Sequence, residues 1–320
     1  MPEQVSNSTD QTVGSTSIGG LVILAVLVVS VAVWMYFQPP QLVAIDEADS
    51  VPAASPEVLP GFRSDAWFLP DDDLLGFVEI QAGPFLMGND PAMDPLAFEN
   101  ERWTPDQSQE LVEIPSFYIS RYEVTVAQFR AFVEETGFNV DTQALQEPPD
   151  HPVVAVSWPD ALAYSRWLET TLRAWPQTPE ELVKLLNSGW KISLPSEAEW
   201  EKAARGTDGR IYPWGNEPRR DRANYAGQRT TAVGTFTCPE CPFGLVDMSG
   251  NVWELTRSAY QPYSYDSTDS RWDLNADALW VMRGGSFGDP ARNVRATVRG
   301  GADPGARRPF IGFRVVVSRF

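Results

Sequence analysis

Few side chains in this sequence can do covalent or soft-metal chemistry: two cysteines, Cys238 and Cys241, and one histidine, His151. A three-histidine site, a four-thiolate site or a Cys–His pair with a third ligand cannot be assembled from that set within one chain. Cys238-Pro-Glu-Cys241 is a CxxC in a loop-like stretch. Zinc would need two more ligands nearby. Haem attachment would need histidine at position 242, which is proline, and a thioredoxin-like role would need a helix opening after the first cysteine. Pro242-Phe243-Gly244 points to a turn instead. Three readings of the pair stand: a short-loop disulfide, two free thiols, or a redox couple. His151 sits in a His-Pro turn ahead of a short apolar segment, the setting of a structural residue. The C-terminal stretch gathers arginines: Arg283, Arg292, Arg295, Arg299, Arg307, Arg308, Arg314 and Arg319. They read either as internal fork-like ties between loops or, for Arg292, Arg295, Arg299, Arg307 and Arg308, as a groove for an acidic partner.

The elements that must position these groups are those of a globular protein with an unusual front end. The chain has 320 residues, 43% hydrophobic and 12% aromatic, enough for one large domain plus extras. With 43 acidic residues against 25 basic ones the formal net charge is -18, which repels nucleic-acid phosphates. Nearly all the positive charge is arginine, since only three lysines occur.

Residues 1–17 are polar and read as a disordered tail. Residues 18–37 carry no charge and end in Trp34-Met-Tyr-Phe37. At about 1.5 Å per residue they reach the roughly 30 Å of a bilayer core, and the closing aromatics suit its interface. No Lys or Arg precedes Arg63, so this run lacks the basic n-region of a signal peptide and reads as a retained transmembrane helix. The flanking charges do not set its orientation. Residues 38–72, rich in Pro, Ala, Asp and Glu, read as a tether, and the domain is expected over 73–320.

Within the domain, Gly76–Gly88 predicts two short strands around a turn, Phe117–Val124 a strand, Val153–Val156 another, and Ile311–Val317 a last one. Thr125 with Gln128, Ser157, Thr178 with Glu181, and Ser196 with Glu199 mark four helix starts. After Gly206 the helical signals fade into Gly, Pro, Asn and aromatic residues. The expected class is α+β with long irregular stretches.

Eight motifs in order carry a family resemblance: Gly83-Pro-Phe-Leu-Met-Gly88, Tyr122-Glu-Val-Thr125, His151-Pro-Val-Val-Ala-Val-Ser-Trp158, Leu194-Pro-Ser-Glu-Ala-Glu-Trp200, Tyr212-Pro-Trp-Gly215, Gly244-Leu-Val-Asp-Met-Ser-Gly-Asn-Val-Trp-Glu254, Arg283-Gly-Gly-Ser-Phe287 and Gly312-Phe-Arg314. The series resembles the formylglycine-generating enzyme, or sulfatase-modifying factor, family. The resemblance implies a C-type-lectin-like fold with little regular structure and its first and last strands paired. It also implies a calcium ion at Asp247, Gly250, Val252 and Glu254, two carboxylates and two carbonyls of the kind a hard cation takes. A second family calcium site beginning at Asn224-Tyr225 lacks its other half.

Active members of the family hold copper on two cysteines after the Arg-Gly-Gly-Ser-aromatic motif. Here that stretch is Gly288-Asp-Pro-Ala-Arg-Asn-Val-Arg295, and no cysteine follows Cys241. Neither aspartate nor arginine replaces a thiolate as redox ligand. Related iron-dependent sulfoxide synthases take iron through a histidine cluster, which a single histidine cannot supply. No copper or iron is expected, and the chain reads as not an enzyme. The family also implies a domain outside the cytoplasm, in a periplasmic or other extracytoplasmic space. Thr170–Lys191 looks inserted against the family pattern, a place where partner surfaces arise. The expectation is a single-pass, non-catalytic binding or scaffold protein, an accessory subunit of a membrane protein complex. The alternatives are an enzyme with other chemistry on this fold and a lectin-like ligand receptor.

Overall fold

The computed structural model describes residues 58–263 and 273–319. The expected polar tail, the transmembrane run and residues 38–57 of the tether lie outside the described residues. Among the described residues no helix is long and apolar enough to cross a membrane. Folding begins before position 73. β1 (Phe62–Arg63) and β2 (Leu69–Pro70) pair antiparallel. Leu59, Ala66 and Leu69 are buried, so apolar anchors override the tether-like composition of 58–72.

β3 (Phe77–Ile80) and β4 (Gly83–Gly88) are the two strands expected around a turn, but they join different sheets. β4 pairs with β5 (Gln109–Ile114) as a two-stranded ribbon. β3 pairs with β6 (Phe117–Ser120), the part of the expected 117–124 strand that is extended. Three of the four expected helix caps form. Thr125 and Gln128 bond reciprocally to open α1 (Val126–Thr136), and Gly137 ends it at φ 65°. Ser157 and Asp160 do the same for α2 (Trp158–Ala174).

At α3 (Glu180–Asn187) the expected capping box is absent, because Thr178 Oγ1 donates to Leu172 O at 2.6 Å instead. After β7 (Lys191–Ser193), Ser196 and Glu199 cap α4 (Glu197–Arg205). Val153–Val156 is buried but is not a strand. Ala155 takes φ 55°, which breaks an extended run, and its N–H bonds Arg308 O at 2.9 Å.

From Gly206 to Val252 the chain has no α-helix or strand, only a 3-10 turn at Pro242–Gly244. Then β8 (Trp253–Ala259), β9 (Trp280–Arg283), β10 (Arg299–Ala302) and β11 (Ile311–Gly312) form a sheet in the order β10-β9-β8-β11, with β11 parallel to β8. β12 (Val316–Ser318) lies between β6 and β7 in the other sheet, whose order is β3-β6-β12-β7. The last strand therefore does not touch β3, as the family resemblance implied, but sits one strand away. The expected 311–317 strand is broken at Phe313–Val315, where the chain crosses from one sheet to the other. That crossing places Arg314 between them. The main core packs Phe129 and Tyr164 of the helices against Phe313, and Phe132 against both of those helix residues.

Candidate functional site

The turn Asp247–Glu254 is shaped by three left-handed residues: Asp247 at φ 57°, Gly250 at φ 80° and Asn251 at φ 59°. A Cβ on Gly250 would stand 2.2 Å from Asn224 O, so this position accepts only glycine. Gly250 N–H donates to Gly284 O and Asn251 N–H to Asn224 O, both at 2.8 Å, which locks the turn to two remote loops.

The turn delivers two carboxyl groups into a buried space, and Glu123, just before α1, adds a third. Glu254 accepts two hydrogen bonds from Arg314, Nε and Nη2 each at 2.6 Å, and one from Trp200 Nε1 at 2.6 Å. Asp247 Oδ2 accepts from Gly234 N–H at 2.8 Å, and Glu123 Oε2 from Asn251 Nδ2 at 2.7 Å. Asp247 Oδ1 and Glu123 Oε1 are buried with no hydrogen-bond partner.

Three carboxyl groups thus share one guanidinium, whose other N–H groups go to the carbonyls of Ser120, Arg121 and Val246. Burial, and after it the fields of Asp247 and Glu254, drive Glu123 well above the usual carboxylate range. Burial pushes Asp247 up to about 6, against the lowering effects of the Gly234 N–H and Arg314. A buried carboxylate oxygen without a donor is costly.

The donor set fits a hard cation in part. Asp247 Oδ1 is open and the local charge is unbalanced. Glu254, by contrast, must share its oxygens with Arg314 and Trp200. Among the described residues no group of three or more His, Cys, Asp or Glu is arranged as a ready metal cage. Glu123 lies within the Tyr122-Glu-Val-Thr125 motif, where the sequence alone assigns it no role. The available signal was a carboxylate set inside a strand-to-helix junction that is otherwise buried.

The arginines divide. Arg295 is buried on Asp94 and Glu101, at 2.6 Å to each, and Arg299 on Glu197 at 2.6 Å. Both are internal ties rather than an open groove wall. Arg299 also borders a mostly apolar cavity of about 400 Å³ with Trp103, Tyr260 and Tyr263. Arg307 pairs with Asp160 at the start of α2. Arg292 lies over the Phe98 ring at 3.9 Å, and Arg308 is exposed. Cys238 and Cys241 are bonded as a disulfide, with Cα atoms 5.3 Å apart. His151 Nδ1 shares a hydrogen bond with Thr230 Oγ1 at 2.8 Å, and burial lowers its pKa.

Where the resemblance places the reactive cysteines, Asp289 closes a turn. Its Oδ2 accepts from Ser286 N–H, Ser286 Oγ and Trp253 Nε1 at 2.9, 2.7 and 2.9 Å, and its Oδ1 accepts from Asn293 Nδ2 at 3.1 Å. Every oxygen of that carboxylate is committed to structure.

The sulfatase-modifying factor enzyme 1-like domain matches residues 69–319. The chain belongs to that family. It is 33% identical over 193 residues to the inactive C-alpha-formylglycine-generating enzyme 2 of Mus musculus, covering 54% of this chain and 51% of that protein. It is 31% identical to the formylglycine-generating enzyme of Thermomonospora curvata, covering 68% and 84%. It is 28% identical to the hercynine oxygenase of Mycolicibacterium thermoresistibile, covering 72% and 56%. The match thus spans only about half the length of two of these curated relatives. Among solved structures, PvdO from Pseudomonas aeruginosa is 28% identical with a TM-score of 0.58, covering 76% of this chain and 94% of that one. This sulfatase-modifying factor-like chain therefore shares its framework with relatives named as enzymes and with one named as inactive.

Proposed function

We propose that this chain is a non-catalytic member of the family, a membrane-anchored scaffold that serves as accessory subunit of an extracytoplasmic-facing membrane protein complex. The observation that carries the first part is the Ser286–Asn293 turn. It has no thiol, and Asp289 spends both oxygens on internal hydrogen bonds. The relative named inactive is in keeping with it. The anchor rests on the uncharged run 18–37. Asp247, with the carbonyls of Gly250 and Val252 and a shared Glu254, would hold a structural calcium ion whose charge answers the surplus carboxylates. No copper or iron enters this reading.

Two measurements test it. Purified protein should convert no cysteine of a substrate peptide to an aldehyde, with or without added copper. Mild detergent extraction of native membranes should recover the chain with a fixed set of partner proteins, and recovery as a lone monomer would count against the scaffold role. A different chemistry on the same frame is the second reading, favoured by the relative named as an oxygenase. A redox metal bound at one equivalent would promote it.

A further inference from the structure

The corner at which the chain enters the fold carries three tryptophans that are neither buried nor fully exposed: Trp67, Trp167 and Trp175. Trp67 meets Trp167 and Trp175 edge-on, with centroids 6.2 and 5.4 Å apart. Glu135, at the end of α1, accepts from the indole N–H groups of both Trp67 and Trp167. Trp175 keeps its N–H toward solvent, with no acceptor among the described residues. Arg63 stacks over the Trp175 ring at 5.3 Å and is itself held by Asp65. The turn that presents Trp67 places two bulky residues in succession in the left-handed region, Trp67 at φ 53° and Phe68 at φ 58°. Such a conformation persists only where surrounding contacts enforce it.

We propose that this corner docks on a bilayer surface, laying Trp67, Trp167 and Trp175 into the headgroup region of zwitterionic lipid. The inference rests on the reading of residues 18–37 as an anchor. An indole with an apolar body and a polar edge is the side chain that settles at a membrane–water interface. Chain length brings the corner there. Twenty residues separate Phe37 from Val58, and Arg63 follows five positions later. At no more than about 3.6 Å per residue, twenty residues reach at most roughly 70 Å, so the chain keeps the corner within reach of the bilayer. Charge selects the lipid. Arg63 is balanced by Asp65 and Arg173 by Glu169, while the net charge of -18 repels anionic headgroups.

The test uses the full chain in phosphatidylcholine nanodiscs containing lipid with a nitroxide on the headgroup. One fluorescent reporter goes on Gln177→Cys beside the corner, and a control goes on Asp106→Cys in the β4–β5 connection. The label at 177 should lose most of its emission and the label at 106 little, and Trp175→Ser should restore the first. A chain that fails to incorporate into nanodiscs overturns the anchor and the docking together. An incorporated chain with label 177 unquenched, or with both labels equally quenched, overturns the docking alone. Quenching that appears only when co-purified proteins are present assigns the corner to a protein partner and also overturns it.

Discussion

Asp247→Asn separates a cation site from a purely internal carboxylate cluster. In the folded state Asp247 is pushed up to about 6, chiefly by burial. An ordinary aspartate titrates near 3.9, and the difference is worth about 3 kcal/mol at pH values above both. The sign follows from proton uptake. The raised value means the native state binds the proton more tightly, so stability is greatest below about pH 4 and falls as pH rises through about 6. The variant removes that fall and keeps an oxygen for the Gly234 N–H, while its amide remains buried near Glu123. With a chelator at pH 7 it should therefore be more stable than wild type by about 1–2 kcal/mol, with the gain vanishing toward pH 4. Calcium reverses the comparison. At one hundred times its dissociation constant a bound ion adds about 2.7 kcal/mol to the wild type and nothing to a variant that cannot hold it. The assay is urea unfolding of detergent-solubilised protein at pH 4 and pH 7, each with chelator and with calcium. A variant less stable than wild type in chelator at pH 7 would falsify the premise that Asp247 is an uncompensated charge. Equal calcium stabilisation of both proteins would remove the ion from this turn.

Four further outcomes are expected from the same unfolding measurements. Gly250→Ala forces a Cβ to 2.2 Å from Asn224 O at φ 80°, and should lose about 3 kcal/mol or more, or fail to fold. Arg295→Leu strands Asp94 and Glu101 without their guanidinium and should cost about 3–5 kcal/mol. Arg308→Ala, at an exposed side chain, should stay within about 0.5 kcal/mol. Replacing Cys238 and Cys241 by serine opens a four-residue loop, whose chain-entropy loss predicts about 2 kcal/mol.

The features legible in the sequence were the local ones. The caps at Thr125, Ser157 and Ser196 are decided within four residues, and each forms as spacing predicts. Thr178 shows where locality ends: its hydroxyl is captured by Leu172 O, a carbonyl at the end of α2 six residues earlier, and the same pattern gives no box. The Val153–Val156 segment has strand composition, yet Ala155 must turn back to meet Arg308 O, and that partner lies 153 positions away. The same distance explains why the arginines could be read two ways. Whether Arg295 ties loops or lines a groove depends on Asp94 and Glu101, some 200 residues earlier, which no periodicity connects to it.

The preference for arginine over lysine has its cause in the same contacts. Where sheets are short, a ladder of backbone hydrogen bonds cannot hold loops together, and another source of directed donors is needed. Arg283 donates to the carbonyls of Ala296 and Thr297 and to Glu197 and Glu201. Arg205 reaches the carbonyls of Gly88, Gly209 and Arg210 as well as Glu201. Arg314 joins the Ser120, Arg121 and Val246 carbonyls to Glu254. Each side chain spans four separate residues through backbone or carboxylate oxygens, which a planar five-donor fork can do and an ammonium with three donors cannot. Around the Arg283 and Arg205 hubs the buried carboxyl groups, Glu197 and Glu201, have both oxygens bonded. The Arg314 hub differs, because Glu123 and Asp247 crowd the same space with one unpartnered carboxyl oxygen each. The other buried side-chain atoms without a partner among the described residues are guanidinium Nε atoms, which is why the turn at Asp247, and not the arginine-rich C-terminus, is where a bound ion would matter.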